Sequence, residues 1–304
     1  MELANPTVST ISARLESQAK LAPLRSFLNG ATAWLGSLRI PPRVQAFEFC
    51  DQAWVRGSLR EAYLDGLNFL FKAGRIYHSM HRPFRRWALA AGETRVLDLA
   101  SGGGGPIETL LASARREHLT MPRVTLSDLY PDTEAFARVQ QAHPGQVDFK
   151  PAPVDATGAV ALREPLVSIC TGFHHFAPPQ AGQVLANVVA HTNGFFIMEV
   201  LPRNLLTPFL SLPMLPVLML APIFSRRFSW KKFALTTLLP LVPCMIVFDG
   251  MVSALRVYRP EELLALLPEH ARREWRWESG AVRYLGVMRA PYFFGVRKRA
   301  ENAR

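Results

Sequence analysis

The sequence predicts an α/β fold: a doubly wound, mostly parallel sheet with N-terminal helices and a hydrophobic helical insertion. Three observations point there. Short apolar runs alternate with helical patterns between residues 95 and 200. The first of these runs feeds four successive glycines. Further on, residues 204–248 contain two long uncharged stretches that a plain strand–helix series does not need.

The glycine run is the most informative element. RVLDLASGGGGPI, Arg95 to Ile107, reads as a buried strand, an aspartate near its end, a glycine turn and a helix start. Gly102 to Gly105 lack Cβ atoms, so they can take positive φ and let a ligand lie against bare backbone. Pro106 suits the first helical position, where an N–H would be unpaired anyway. Open α/β sheets bind nucleotide-like ligands at such turns. A dinucleotide fingerprint requires G-x-G-x-x-G. Counted from Gly102 the third position is Ile107, and from Gly103 it is Glu108, so both registers fail. No lysine follows to complete a phosphate-cradling loop. Asp98 remains, four residues before the first glycine. Facing a ligand, it would repel a pyrophosphate and suit a cationic ammonium.

Asp98-x-Ala100-x-Gly102-x-Gly104 resembles the first motif of the class I S-adenosylmethionine-dependent methyltransferases. That motif is D-x-G-x-G-x-G after a hydrophobic strand; here alanine replaces the first glycine. The resemblance implies S-adenosylmethionine as cofactor, with Asp98, Ala100, Gly102 and Gly104 lining its site. The second strand, RVTLSDL from Arg123 to Leu129, ends at Asp128 before a Tyr130-Pro131-Asp132 turn. An acid there can accept hydrogen bonds from ribose hydroxyls, and the resemblance gives Asp128 that role. A third strand lies around Val147 to Lys150. Asp155, past Pro151 and Pro153, falls where the family contacts the adenine amino group.

The fourth strand, PLVSICTGFHHF from Pro165 to Phe176, is apolar enough to be central and covered on both faces. His174 and His175 at its end match an aromatic-and-histidine turn that many small-molecule methyltransferases place beside the methyl group. They are the candidate catalytic residues, as a general base with a pKa near 6.5; a purely structural role stays open. Metal binding is not expected, because no carboxylate or thiolate stands at useful spacing and adjacent extended residues point apart. A helix from Pro178 to His191 and a strand from Gly194 to Val200 complete the βαβ series. A short helix, PEELLALL from Pro260, carries acids in its first turn. REWRWES (273–279) and PYFFGVRK (291–298) resemble the last two strands of the methyltransferase sheet, the final one antiparallel. The resemblance covers roughly 89–200 and 257–298 and implies seven strands in a Rossmann-like arrangement.

The chain has 304 residues and a formal net charge of +11, enough for one large α/β domain plus additions. Cys50, Cys170 and Cys244 are odd in number, far apart and in apolar contexts, which reads as packing in a reduced, cytoplasm-facing compartment. The positive charge gathers in HRPFRRW (81–87), SRRFSWKK (225–232) and the C-terminal tail. It favours an anionic partner. No nucleic-acid motif accompanies it, so an anionic membrane surface is the partner expected and nucleic acid is not.

NLLTPFLSLPMLPVLMLAPIFS (204–225) and FALTTLLPLVPCMIVF (233–248) carry no charge. As helices they would span about 33 and 24 Å against a hydrocarbon core of about 30 Å. Prolines 208, 213, 216, 222, 240 and 243 would break both. If both crossed, the basic loop would lie opposite a cytoplasmic catalytic domain, against the positive-inside rule. A hairpin dipping into one leaflet, with Arg226, Arg227, Lys231 and Lys232 at lipid phosphates, meets both constraints. True spanning, a lid and a dimer surface are the other readings.

At the N-terminus, Leu15, Leu21 and Leu24 mark an amphipathic helix whose Arg14, Glu16 and Lys20 exclude a secretory signal's apolar core. A second helix runs from Ser58 to Arg75, followed by Tyr77 and His78 as candidate caps on the cofactor pocket. The expected organisation is an N-terminal helical cap (1–88), a methyltransferase-like domain (89–202 and 257–304) and a membrane-associated hairpin (203–256). The expected activity is methyl transfer to an apolar small molecule or lipid at a membrane face, the catalytic domain facing the cytoplasm. The alternatives are a non-catalytic membrane-docked scaffold that keeps the nucleotide-binding fold and, disfavoured by the missing third glycine, a nicotinamide oxidoreductase. Oligomeric state is not legible in the sequence.

Overall fold

A computed structural model describes residues 41–158, 164–224, 228–285 and 288–298. The expected helix around Leu15 to Leu24 lies outside the described residues, as do Arg226, Arg227 and the tail beyond Lys298.

Seven strands form one sheet: β1 (Arg95–Leu99), β2 (Arg123–Leu126), β3 (Val147–Phe149), β4 (Leu166–Cys170), β5 (Gly194–Met198), β6 (Trp275–Tyr284) and β7 (Met288–Arg297). Their order is β3-β2-β1-β4-β5-β7-β6. Only the β5–β7 and β6–β7 pairings are antiparallel, so the expected antiparallel final strand is present. β4 and β5 are buried at every position, as their apolar runs require. Side chains alternate between two cores. Val96, Leu166, Phe196 and Met198 face one, while Leu97, Val167, Phe195 and Ile197 face the other.

Helices cover both faces. In chain order they are α1 (Ser58–Ala73), α2 (His81–Ala91), α3 (Gly105–Arg116), α4 (Thr133–Ala142) and α5 (Pro178–His191). Then come α6 (Thr207–Leu210), α7 (Met214–Leu218), α8 (Trp230–Phe233), α9 (Leu241–Arg256), α10 (Pro260–Leu266) and α11 (Glu269–Glu274). The first core takes Phe84 and Trp87 of α2, Leu110 and Leu111 of α3, and Phe136 of α4. The second takes Val184 and Val188 of α5, Leu263 of α10 and Ala271 of α11. The stretch read as a basic patch, HRPFRRW, is therefore a sheet-packed helix that runs across the expected boundary at residue 88. Its arginines are partnered within the protein: Arg82 and Arg86 pair with Glu117 and Glu278, and Arg85 donates to the Thr120 carbonyl.

Residues 203–256 do not form the expected two-armed hairpin. Their prolines cut the chain into short pieces. Pro208 lies in the first turn of α6, Pro213 precedes α7, and Pro240 separates α9 from the π-helical turn Ala234–Leu238 that follows α8. Among the described residues no single helix is long and apolar enough to cross a membrane. Trp230–Leu238 and Leu241–Arg256 reach that length and composition only as a pair bent by 61°. Instead Leu218 of α7 and Val242, Met245 and Ile246 of α9 pack with Ala62 and Tyr63 of α1 in a third core. Lys232, expected at lipid phosphates, lies 2.9 Å from Asp65 and 3.2 Å from Glu61 of α1. Apolar composition dictated burial here, and α1 supplies the buried surface.

Candidate functional site

The turn between β1 and α3 is built on three residues with positive φ: Ala100 (52°), Gly102 (55°) and Gly104 (74°). Gly104 has a packing reason as well. A Cβ there would sit 3.0 Å from Leu126 and 3.1 Å from Val139, pushing α3 away from β2 and α4. Gly102 has open space where its Cβ would be, so its bare backbone is accessible. Ala100 adopts the left-handed conformation despite its Cβ, at a cost of about 1–2 kcal/mol. On the far side of the turn, a Cβ on Gly105 would lie 3.4 Å from Oδ1 of Asn68, so α1 brings a polar side chain against the glycines. Asn68 escaped the sequence reading; its only signal was its place on a helix expected to cover the site.

The three acids occupy different layers. Asp98, expected to face a ligand, is enclosed by two serines in this structure. It is 1% exposed, its Oδ1 accepts from the Ser168 hydroxyl at 2.6 Å, and its Oδ2 accepts from the Ser101 hydroxyl at 2.7 Å. The β1–β4 register sets Asp98 opposite Ser168 on the same face. Burial pushes this carboxyl up to about 6, against the lowering effect of the two serines. Asp98 therefore braces the turn from beneath. Asp128, at the end of β2, does reach the turn: its Oδ2 accepts from the Gly102 N–H at 2.8 Å and its Oδ1 from the Tyr130 N–H at 2.9 Å. Two lone pairs remain for a ligand. Asp155 is exposed, with Oδ1 accepting from the Thr157 N–H and hydroxyl at 2.8 and 2.7 Å. It adjoins Asp128 through its neighbour Val154, whose N–H donates to the Asp128 carbonyl at 2.8 Å.

β4 closes the floor. Gly172 follows it, and a Cβ there would lie 3.3 Å from that of Ala100, so the two turns touch. Tyr77, a candidate cap on the pocket, is buried, with its hydroxyl 3.0 Å from that of Thr171. His78 turns to Arg75 instead.

The histidine pair is enclosed in charge. His174 is buried, with Nδ1 2.7 Å from Glu199 Oε2, its N–H donating to Glu199 Oε1 at 3.0 Å, and Nε2 3.9 Å from Glu48. Burial alone would lower its pKa, but the charge and hydrogen bond of Glu199, then the charge of Glu48, carry it upward. His175 stacks on it at 4.2 Å, and its Nδ1 lies 2.9 Å from Asp51. Residues 43–51 lie over both histidines: the Arg43 guanidinium donates to the His174 and Phe176 carbonyls at 3.0 Å each. Neither histidine is the freely poised base that the sequence suggested: both rings lie against carboxylates. His174 is held between two carboxylates, and its raised pKa favours the imidazolium, which cannot accept a proton. The acids responsible, Glu48, Asp51 and Glu199, lie far from the histidines in sequence, and no local motif reveals them.

No protein-family model matches this sequence, and no curated protein matches it. Solved structures do. An O-methyltransferase family protein from Burkholderia thailandensis is 17% identical over 80% of this chain, with a TM-score of 0.47. The chain spans 60% of that protein's length. The plantazolicin methyltransferase BpumL, solved in complex with SAH, is 12% identical over 81% of this chain and 92% of its own, with a TM-score of 0.48. Magnesium protoporphyrin IX methyltransferase from Synechocystis PCC 6803, also with bound SAH, is 15% identical over 79% and 93%, with a TM-score of 0.45. At such identities and scores, the functional reading rests on this chain's own residues.

Proposed function

We propose that the chain is an S-adenosylmethionine-dependent methyltransferase acting on an apolar small molecule or lipid at a membrane face. The observation that carries the reading is the 2.8 Å bond from the Gly102 N–H to Asp128. It joins an acid at the end of β2 to accessible backbone at the end of β1, a pairing suited to a ribose beside a glycine turn. The open space above Gly102 is a cradle that any side chain would fill. Asp128 would hold the ribose hydroxyls and Asp155 the adenine amino group. Ala100, Gly102 and Gly104 shape the backbone, and Asp98 fixes that backbone from beneath. S-adenosylmethionine, when bound, supplies an electrophilic methyl group. The protein's own part is to orient the acceptor and exclude water, and orientation alone can account for much of a displacement rate.

The apolar substrate rests on a surface. Phe209, Leu220, Phe228 and Leu239 are exposed, as are Phe224 and Trp230 at 66% and 73%. Isolated surface hydrophobes are ordinary, but their density along residues 205–241 suits an apolar partner. Lys231 is exposed beside Trp230 and would meet anionic headgroups. We place the protein at a membrane, held by this face, with its α/β domain on the cytoplasmic side.

The test uses purified full-length protein, labelled S-adenosylmethionine and a lipid extract. Label entering an organic-soluble product supports the reading. Tight cofactor binding without transfer in any extract favours a non-catalytic scaffold. Absence of binding, or tighter binding of NAD, ends it.

A further inference from the structure

A second cluster lies beside the histidines, and methyl transfer leaves it unexplained. Glu48, Cys50, Asp51 and His175 each direct one donor atom to a common point, and these atoms lie within 4.8 Å of one another. We propose that they form a four-ligand zinc site that staples residues 48–51 to the turn after β4.

The distances fit the ion. Zinc bonds of about 2.0 Å to nitrogen and oxygen and about 2.3 Å to sulfur give a tetrahedron with edges of about 3.3–3.5 Å. Here His175 Nδ1 is 2.9 Å from Asp51 Oδ1 and 3.6 Å from Glu48 Oε2. Cys50 Sγ is 3.3 Å from Glu48 Oε2 and 4.0 Å from Asp51 Oδ1. These four edges bracket the ideal, and every edge lies within 4.8 Å. His175 Nδ1 is shielded from solvent and makes no well-aligned hydrogen bond, although Asp51 is near. A metal would give it a partner.

The surroundings hold the donors in place. The turn Phe49–Asp51 is fixed by Asp249 of α9, which accepts from the Phe49 and Cys50 N–H groups at 2.7 and 3.0 Å and from the Tyr63 hydroxyl at 2.7 Å. Arg256 lies 3.0 Å from Glu48 Oε1 and 2.9 Å from Asp51 Oδ2. It takes one oxygen of each carboxylate and leaves the other turned toward Cys50 and His175. Such outer contacts orient metal ligands. The charges also close. Two carboxylates and a thiolate balance one guanidinium and a dication. Zinc binding displaces the Cys50 thiol proton to solvent, moves any hydrogen off His175 Nδ1, and changes no oxidation state. With all four positions filled by protein, the site is of the closed, structural kind. It would lock residues 48–51 over the His174–Glu199 pair.

The test is a cobalt(II) titration of reduced, chelator-stripped, full-length protein, followed by zinc displacement. We expect one equivalent per chain, a thiolate-to-cobalt charge-transfer band, and loss of the absorption on adding zinc. Cys50→Ser should abolish the band, and His175→Gln should weaken binding at least tenfold. Cys244→Ser, at an exposed cysteine, should leave both unchanged. Circular dichroism of the metal-free variants checks that they fold. A wild type without a stoichiometric thiolate band, a band that survives Cys50→Ser, or one lost equally in Cys244→Ser would overturn the proposal.

Discussion

Asp128 and Asp132 are both acids at the start of the β2–α4 connection, and the structure assigns them opposite duties. Asp128 binds the glycine turn through Gly102. Asp132 caps α4, its Oδ1 accepting from the Ala135 N–H at 2.9 Å. Replacing each by alanine should separate affinity from stability. Loss of a charged hydrogen-bond partner costs about 1.5–3 kcal/mol. At about 1.4 kcal/mol per decade, Asp128→Ala should weaken S-adenosylhomocysteine binding about 10- to 150-fold. Asp132→Ala removes a helix cap worth about 1 kcal/mol. In a domain of this size that lowers Tm by about 2–4 °C, while affinity should hold within about twofold, under half a kcal/mol. Calorimetric titration gives the affinities and a thermal scan the stabilities. Equal affinities in the two variants would refute the assignment of Asp128 to the ribose, however the melting curves fall.

Three further outcomes follow from the same geometry. Ala100→Gly should relieve the left-handed alanine and raise stability by about 0.5–1 kcal/mol after the entropy cost of glycine; an unchanged urea midpoint would mean that the turn is not strained there. The Asp98 carboxyl, pushed up to about 6 by burial, favours the fold when protonated; that contribution is full below pH about 4 and lost as pH rises through about 6. Asp98→Asn should therefore gain on wild type by about 3 kcal/mol between pH about 4 and 7, and a pH-independent gap in urea midpoints would reject this. Phe224→Ser with Trp230→Ser should loosen binding to apolar and anionic liposomes while sparing S-adenosylhomocysteine affinity, and liposome binding equal to wild type would move the docking face elsewhere.

The α/β frame was legible because its signals are local. RVLDL, LVSIC and GFFIM are short, mostly apolar runs, as strands covered on both faces require. The glycine run fixed the turn, and the helix from Pro178 to His191 starts and stops where its sequence does. The candidate site was legible only in part. Asp128 follows the end of its strand and reaches the glycine turn, as its spacing suggested. Asp98 was expected to face a ligand, whereas Ser101 and Ser168 enclose it here; spacing along a strand does not tell which groups surround a side chain. The partner that buries it, Ser168, is supplied by β1–β4 pairing across 70 residues. Glu48, Glu199 and Arg256 meet the histidines in the same non-local way. Cys50 read as packing, although Glu48 and Asp51 beside it in sequence are the carboxylates its sulfur faces; what the sequence hides is that His175 joins them.

Residues 203–256 show where hydropathy misleads and where it does not. A hydropathy count measures how much apolar surface needs covering, not what covers it. Part of that surface is met by α1: Met245 and Ile246 pack beside Ala62 and Tyr63. Gly66 permits the approach, since a Cβ there would lie 2.6 Å from Ile246 Cδ1. Lys232 supports the same contact through Asp65 and Glu61. Excising Leu205 to Val247 would thus strip α1 of its packing and loosen the helix that carries Asn68 over the glycine turn. An independent membrane anchor could be removed without that effect. The inner face of this segment thus holds the helix that covers the candidate cofactor site, while Phe224 and Trp230 are exposed on its outer face. Phe224 also stacks on Phe69 of α1 at 5.2 Å, so the same helix meets this segment at both its buried and its exposed side.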